Sequence, residues 1–304
     1  MQKGNGDALR TRVYIDGYNL YYGCLKSSQH KWLDVQALIE HIFPSILFEQ
    51  NERPVQYVFQ RPAIKDFTAP ILSAFANSQD SVSCQHQYHT ALRGHLGDRL
   101  EIINGYHDAK PARAYVWEEG KAARESKMIE IWKLEEKQSD VSLALNAYSD
   151  AIRGEVDQII AVTNDSDFVP AITMIREHTQ VIVGLIAPTR QNAGKVNSEL
   201  AEHAHWTRTH IRAEEFAASQ LPAMVRLQNG VVHKPLSWYP RPDLLIPIFE
   251  EARRVKRSEG AARKWLNQPC AHLDGRVPIT MCESSDQATE LREYMDRYAR
   301  EFGV

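Results

Sequence analysis

Four aspartates stand where an apolar run gives way to polar chain. Asp16 ends Val13-Tyr14-Ile15 and is followed by Gly17-Tyr18-Asn19. Asp165 and Asp167 follow Ile159–Val162 in Thr163-Asn164-Asp165-Ser166-Asp167-Phe168. Asp140 stands beside Ser139 at the head of a helical pattern. Carboxylates gathered in one crevice repel one another and are tolerated when a divalent cation neutralises them. Hard oxygen donors favour Mg²⁺ or Mn²⁺. Such an ion acidifies a bound water and polarises a phosphoryl oxygen, so the chemistry to expect is metal-assisted phosphodiester hydrolysis. Asn19 is placed to orient a carboxylate or the attacking water. A bland role competes at each position, because Asp after a strand is a common turn residue and helix cap. The coincidence of several such positions at one edge favours the site.

The elements that must position these groups are legible as short, nearly continuous apolar runs. They are Val13–Ile15, Val55–Phe59 (closed by Arg61-Pro62), Leu100–Ile103, Ile159–Val162 and Val181–Ile186. Strands buried on both faces read this way. Helical patterns lie between them: Leu33–Ile46, a stripe of Val141, Ala144, Leu145, Tyr148 and Ile152, and Val169–His178. This alternation predicts an α/β fold with a parallel central sheet, and ligands bind such sheets beyond the carboxyl ends of the strands. After about Phe216 the pattern changes. Gln220–Pro242 is rich in proline and reads as an extended wrap or linker. A helix with a basic end then runs to Arg257, and Ser258–Leu266 and Asp286–Phe302 complete a small helical module. The expected domains are 10–216, a linker at 217–242, and a helical module at 243–304.

The chain has 304 residues, 43% hydrophobic and 25% charged, with a net charge of −3, which excludes a wholly basic nucleic-acid coat but not a local basic groove. The N-terminus carries no signal-like stretch, and the longest apolar run, near Val181–Pro188, is too short to span a bilayer. A soluble, cytoplasmic protein is expected. Cys24, Cys84, Cys270 and Cys282 are scattered, so free thiols are expected. The close pairs His86/His89 and His203/His205 lack zinc-site spacing. Lys110, Arg113, Lys121, Arg124 and Lys127, with His107, alternate with Tyr106, Tyr115 and Trp117. Two readings stand: a rim for single-stranded nucleic acid, or a solvated loop and helix face. Tyr18, Tyr21 and Tyr22 suit either base stacking or core packing.

Val13-Tyr14-Ile15-Asp16-Gly17-Tyr18-Asn19-Leu20 resembles the opening motif of NYN domains, the branch of PIN-like nucleases that includes LabA-like bacterial proteins. Glu135-Glu136-Lys137-Gln138-Ser139-Asp140-Val141 resembles the second motif, an EKxxD-type segment opening a helix. Thr163-Asn164-Asp165-Ser166-Asp167-Phe168 resembles the third, usually SGDSDF. Gln85–Leu92 and Ile103–Tyr106 are similar to the subgroup's helix-then-strand passage. The resemblance implies a PIN-like three-layer sandwich over about residues 10–216 and metal-dependent RNA cleavage with Mg²⁺ or Mn²⁺. Asp16, Asp140, Asp165 and Asp167 would be the metal-site residues, with Asn19 beside them and Tyr18 and the basic rim toward RNA. Two positions depart from the pattern: Thr163-Asn164 replaces Ser-Gly, and Asn146 stands where relatives often carry Asp.

Ala262–Pro269 and Leu273–Pro278 are similar to the helical domain that ends Xre/MbcA/ParS-type antitoxins, which implies a protein partner or self-association. A DNA nuclease of the same fold, a non-cleaving RNA-binding scaffold and a toxin-like or defence role remain as alternatives. A haloacid-dehalogenase phosphatase is excluded, because position 18 is tyrosine where a DxD pair needs aspartate.

Overall fold

The computed structural model describes residues 8–46, 49–50, 53–54 and 56–302. Residues 1–7, Val55 and 303–304, which carry parts of the expected N-terminus, second strand and last module, lie outside the described residues. The chain divides into two compact units, one ending at His233 and the other beginning at Lys234.

In the first unit the chain runs through β1 (Leu9–Asp16), β2 (Tyr57–Thr68) and β3 (Leu100–Asn104). Then β4 (Tyr106–Tyr115) and β5 (Met128–Lys137) pair only with each other as an antiparallel ribbon. The chain then returns through β6 (Gln158–Val162), β7 (Ile182–Ile186) and β8 (Trp206–Arg208). The six remaining strands form one parallel sheet in the order β8-β7-β6-β1-β2-β3. Winding proceeds one way from β1 and then restarts on its other side at β6. The crevice between the carboxyl ends of β1 and β6 is the switch point where such sheets take ligands. Helices α1 (Val35–Ile42), α2 (Ser81–Leu96), α3 (Ser139–Ile152) and α4 (Val169–His178) are the main covering layers. The α/β sandwich expected from the sequence is the fold observed. Every residue of β6 and β7 is buried, which is why both read as unbroken apolar runs.

Two expectations are corrected. β2 does not end at Arg61-Pro62. Pairing with β1 jumps from Thr11 opposite Phe59 to Val13 opposite Ile64, so the proline sits in a bulge and the strand resumes. The carbonyls freed there are not orphaned: Arg12 donates from Nε to Pro62 O at 2.9 Å and from Nη2 to Arg61 O at 3.0 Å. The second correction concerns α3. Val141, Leu145 and Ile152 are 63%, 62% and 53% exposed, while Leu143, Ala147 and Ala151 face the core with Tyr14, Phe67 and Ile172. A buried aspartate, Asp150, lies in the inward stripe and breaks its apolar periodicity.

Asp150 Oδ2 accepts from Arg12 Nη1 at 2.6 Å, Tyr14 OH at 2.6 Å and Lys65 Nζ at 2.8 Å. Lys65 also donates to Asn146 Oδ1 at 3.0 Å, so the asparagine that departs from the family pattern is bound into this network. Desolvation would raise the Asp150 carboxyl, but hydrogen bonds from Lys65, Tyr14 and Arg12 hold it below the usual range.

The stretch read as an extended wrap contains a hairpin, β9 (Met224–Leu227) and β10 (Gly230–His233). Leu227 fills the space left by the missing side chain of Gly94 on α2. Trp32 Nε1 donates to Pro222 O at 2.8 Å, and Leu221 N donates to Trp32 O at 2.9 Å. These bonds fasten the proline-rich chain to the first unit.

The second unit is helical. α5 (Pro242–Lys256), α6 (Glu259–Leu266) and α7 (Ser285–Phe302) enclose Leu245, Ile248, Phe249, Leu266 and Leu291. Ser258 caps α6 by accepting from Ala261 N. The basic end of α5 is partly neutralised, Arg253 pairing with Glu250 at 2.6 Å and Arg254 with Glu251 at 3.4 Å. All four cysteines are buried, and none is in a disulfide. Among the described residues no helix is long and apolar enough to cross a membrane.

Asp150→Ala leaves Arg12 and Lys65 as buried cations without their shared carboxylate. It is expected to cost about 3–5 kcal/mol, read as a lowered urea midpoint. An unchanged midpoint would show that the network does not hold α3 to the sheet.

Candidate metal centre

Asp16 is the last residue of β1, Asp165 lies in the loop after β6, and Asp140 lies in the first turn of α3. One carboxylate oxygen from each lies within 4.8 Å of the others. Among the described residues this is the one group of three His, Cys, Asp or Glu gathered so closely. Capping and clustering are not alternatives here. Asp16 Oδ1 accepts from Asn19 N at 2.9 Å, and Asp165 Oδ1 accepts from Asp167 N at 3.0 Å, so each caps the turn that fixes it. Asp140 does not cap: the residue before α3 is Gln138, whose φ of 76° turns the chain sharply into the helix.

Asn19 Nδ2 donates to Asp16 Oδ2 at 2.7 Å, and its Oδ1 accepts from Asn164 N at 3.2 Å. It thus ties the β1 loop to the β6 loop. Thr163 Oγ1 donates to Asp16 Oδ2 at 3.2 Å and accepts from Asp165 N at 3.1 Å. The Asn164 side chain bridges to Lys195 O and Asn197 N. The two departures from the third motif therefore add polar supports for the aspartates. Gly17 is required where it stands, since a Cβ there would lie 2.9 Å from Phe67 O and 3.0 Å from Asp66 Oδ1.

Burial raises the Asp16 carboxyl to about 6, opposed by the Asn19 amide and reinforced by the charge of Asp140. Desolvation, then the charges of Asp165 and Asp167, raise Asp140. Asp167 is exposed and outside the close group of three, acting on it through charge. Two carboxylates escaped the sequence reading. Glu136, at the base of β5, is raised by burial and feels Asp140, and its charge reaches Asp16. Its signal was present as the Glu of the second motif. Asp66, in the part of β2 beyond the bulge, is buried and raised to about 7 by desolvation, then by the charge of Asp16. Nothing in its local sequence marked it.

Tyr18 OH donates to Ala69 O at 3.1 Å, and its ring stacks on Tyr22 at 5.8 Å and meets His107 edge-on at 5.4 Å. Lys110 and Arg113 lie on β4, and Lys121, Arg124 and Lys127 in the connection to β5. Lys110 pairs with Asp108 at 3.2 Å, Lys121 with Glu118, and Arg124 with Glu125 at 3.9 Å, while Arg113 stands opposite Glu130. The rim is thus a charge-balanced ribbon rather than a loop and helix face. The histidine pairs lie apart from the cluster, His205 Nδ1 accepting from Val183 N at 3.0 Å.

A parallel sheet with carboxylates converging at its switch point defines a PIN-like α/β architecture. The family model described as NYN domain matches residues 10–207, and the chain belongs to that family, a PIN-like nuclease family. A second family model, the antitoxin Xre/MbcA/ParS C-terminal toxin-binding domain, matches residues 248–300. Both resemblances read from the sequence are therefore present. The chain is 44% identical over 300 residues to a Pseudomonas putida (strain DSM 28022 / S16) protein named 6-hydroxy-3-succinoylpyridine 3-monooxygenase HspA, covering 97% of this chain and 96% of that one. A solved structure of a Vibrio parahaemolyticus protein of unknown function, VPA0982, is similar at 19% identity and a TM-score of 0.41, over 72% of this chain and all of that one.

The donor set fits a hard divalent cation: three carboxylates, no sulfur, no imidazole, and mutual repulsion to be relieved. A carboxyl raised on folding stabilises the protein below its unfolded value near 4 and loses that contribution as pH rises through about 6. Without divalent ions, Asp16→Asn is therefore expected to gain stability relative to the native chain between pH ~4 and ~8. The gain corresponds to roughly 3 kcal/mol at most, read as melting temperature. A Tm difference independent of pH would contradict the burial of an ionised Asp16.

Proposed function

We propose that the chain is a metal-dependent phosphodiester hydrolase that cleaves RNA, with Asp16, Asp140 and Asp165 holding a Mg²⁺ or Mn²⁺ ion. The observation that carries this reading is the convergence of their oxygens within 4.8 Å at the switch point of the sheet. A divalent cation held there supplies Lewis acidity and acidifies a coordinated water. The protein's own part is positional. Asn19 and Thr163 both donate to Asp16 Oδ2, which leaves its lone pairs aimed by two fixed donors. Asp167 and Glu136 add negative potential around the group and so favour a cation. Tyr18, held by its bond to Ala69 O and by ring contacts with Tyr22 and His107, is the aromatic residue beside Asp16 that a nucleobase would meet. The C-terminal unit is the part that would meet a protein partner, the role named in its family description.

A second reading rests on the 44% identity over nearly the whole chain to the protein named a 6-hydroxy-3-succinoylpyridine monooxygenase. On that reading this chain acts on the same pyridine. The all-carboxylate donor set favours hydrolysis, since oxygen-activating non-haem iron sites commonly use two histidines with one carboxylate.

Single-stranded RNA, structured RNA and DNA would be incubated with Mn²⁺, Mg²⁺ or EDTA. In parallel, the pyridine would be supplied with dioxygen and a two-electron reductant. RNA is expected to be cut with Mn²⁺ or Mg²⁺ and left intact with EDTA. Asp140→Asn should lower the rate on the order of 10²-fold or more, and Asn19→Ala about 10–100-fold. DNA cleavage alone would move the substrate to DNA. Pyridine turnover without any nucleic-acid cleavage would establish the second reading.

A further inference from the structure

Beyond Glu136 at its base, the β4–β5 ribbon takes no part in the carboxylate cluster. Its strands pair from Tyr106 opposite Lys137 to Tyr115 opposite Met128. It is held at its base, where Gly105 N donates to Thr68 O at 2.8 Å and His107 Nδ1 donates to Pro70 O at 2.9 Å. Farther out, Trp132 meets Phe75 edge-on at 6.3 Å. Beyond that the ribbon presents apolar side chains to solvent on both faces. Trp132 is 66% exposed and Leu134 41% on one face; Ile129 is 42% and Ile131 37% exposed on the other. A two-stranded ribbon is marginal alone, and its two outer edges carry unpaired backbone groups. Such an element is stabilised by a third and fourth strand or by an apolar cover.

Charge identifies the cover. Between Tyr106 and Lys137 the chain carries seven Lys or Arg and seven Asp or Glu, a net charge of zero. Glu135 alone is flanked by Lys133 and by Lys137 at 3.1 Å. A nucleic-acid guide needs excess positive charge, and this ribbon has none. Its acids and bases interleave along the same strands, so the surface is complementary to itself. Antiparallel edges related by a two-fold axis pair isologously.

We propose that the β4–β5 ribbon is a dimerisation arm, covered in solution by the same ribbon of a second copy of this chain. The inference is independent of the reaction assigned to the metal centre. The full-length chain, of 34.7 kDa, is expected to show twice that mass by light scattering at micromolar concentration. The double variant Ile131→Asp/Trp132→Glu should show half the native mass, with its far-UV spectrum unchanged. As a check that does not depend on an apolar-to-charged change, Ile131→Cys should cross-link between chains with a short bis-maleimide. The four native thiols are buried, so the new one reacts selectively. A native chain that is monomeric up to about 100 μM, well beyond the Kd of a typical specific interface, would overturn the proposal. So would a dimer that persists in the double variant with no cross-link at position 131. Loss of RNA retention in the double variant with no change in mass would also overturn it, and would make the ribbon a nucleic-acid platform.

Discussion

Asp150 accepts three hydrogen bonds from two neighbouring strands, Arg12 and Tyr14 on β1 and Lys65 on β2, while it sits on α3. The helix that carries Asp140 is thereby locked against the strand that carries Asp16. In the same network Arg12 satisfies the carbonyls of the β2 bulge, so the strand can bend at Pro62 and still deliver Asp66 and Phe67 to the sheet's carboxyl edge. A buried ion cluster is a poor source of net stability, because desolvation consumes much of its Coulomb gain. Its value lies in register. An α3 slipped by one residue would replace the carboxylate with Ser149 or Ala151, neither of which carries the charge that Arg12 and Lys65 need.

That rigidity makes the carboxylate cluster tolerable. Three carboxylates held within 4.8 Å oppose one another, and a loose scaffold would let them drift apart. Here Asp16 and Asp165 are pinned by the turns they cap, and Asn19 and Thr163 brace them from the side. The raised carboxyl of Asp16 reflects its burial first, and the neighbouring charge of Asp140 adds to it. A cation bound there would relieve the repulsion, so ion binding and folding stability are coupled.

The parallel sheet was legible because β6 and β7 are buried on both faces and show unbroken apolar runs. The aspartates were legible because each ends a strand or opens a helix, where chemistry on such sheets occurs. Three features were not. Pro62 looked like a terminator, since the arginine that rescues its bulge is fifty residues away. The inward stripe of α3 was misplaced because a polar hub occupies its centre, leaving Val141 and Leu145 as the more conspicuous periodicity. The ribbon was hidden because neither face is buried, so its strands lack clean alternation of apolar and polar residues.

The proposed chemistry depends on a cation bound by the three aspartates. Mn²⁺ titrated into the full chain and followed by electron paramagnetic resonance measures this directly, without reference to any substrate. A site of this kind gives saturable loss of the free-ion signal, reversal by excess Mg²⁺, and loss of binding in Asp140→Asn with the fold intact. Mn²⁺ binding that is absent in the native chain, or that survives unchanged in Asp140→Asn, would contradict it.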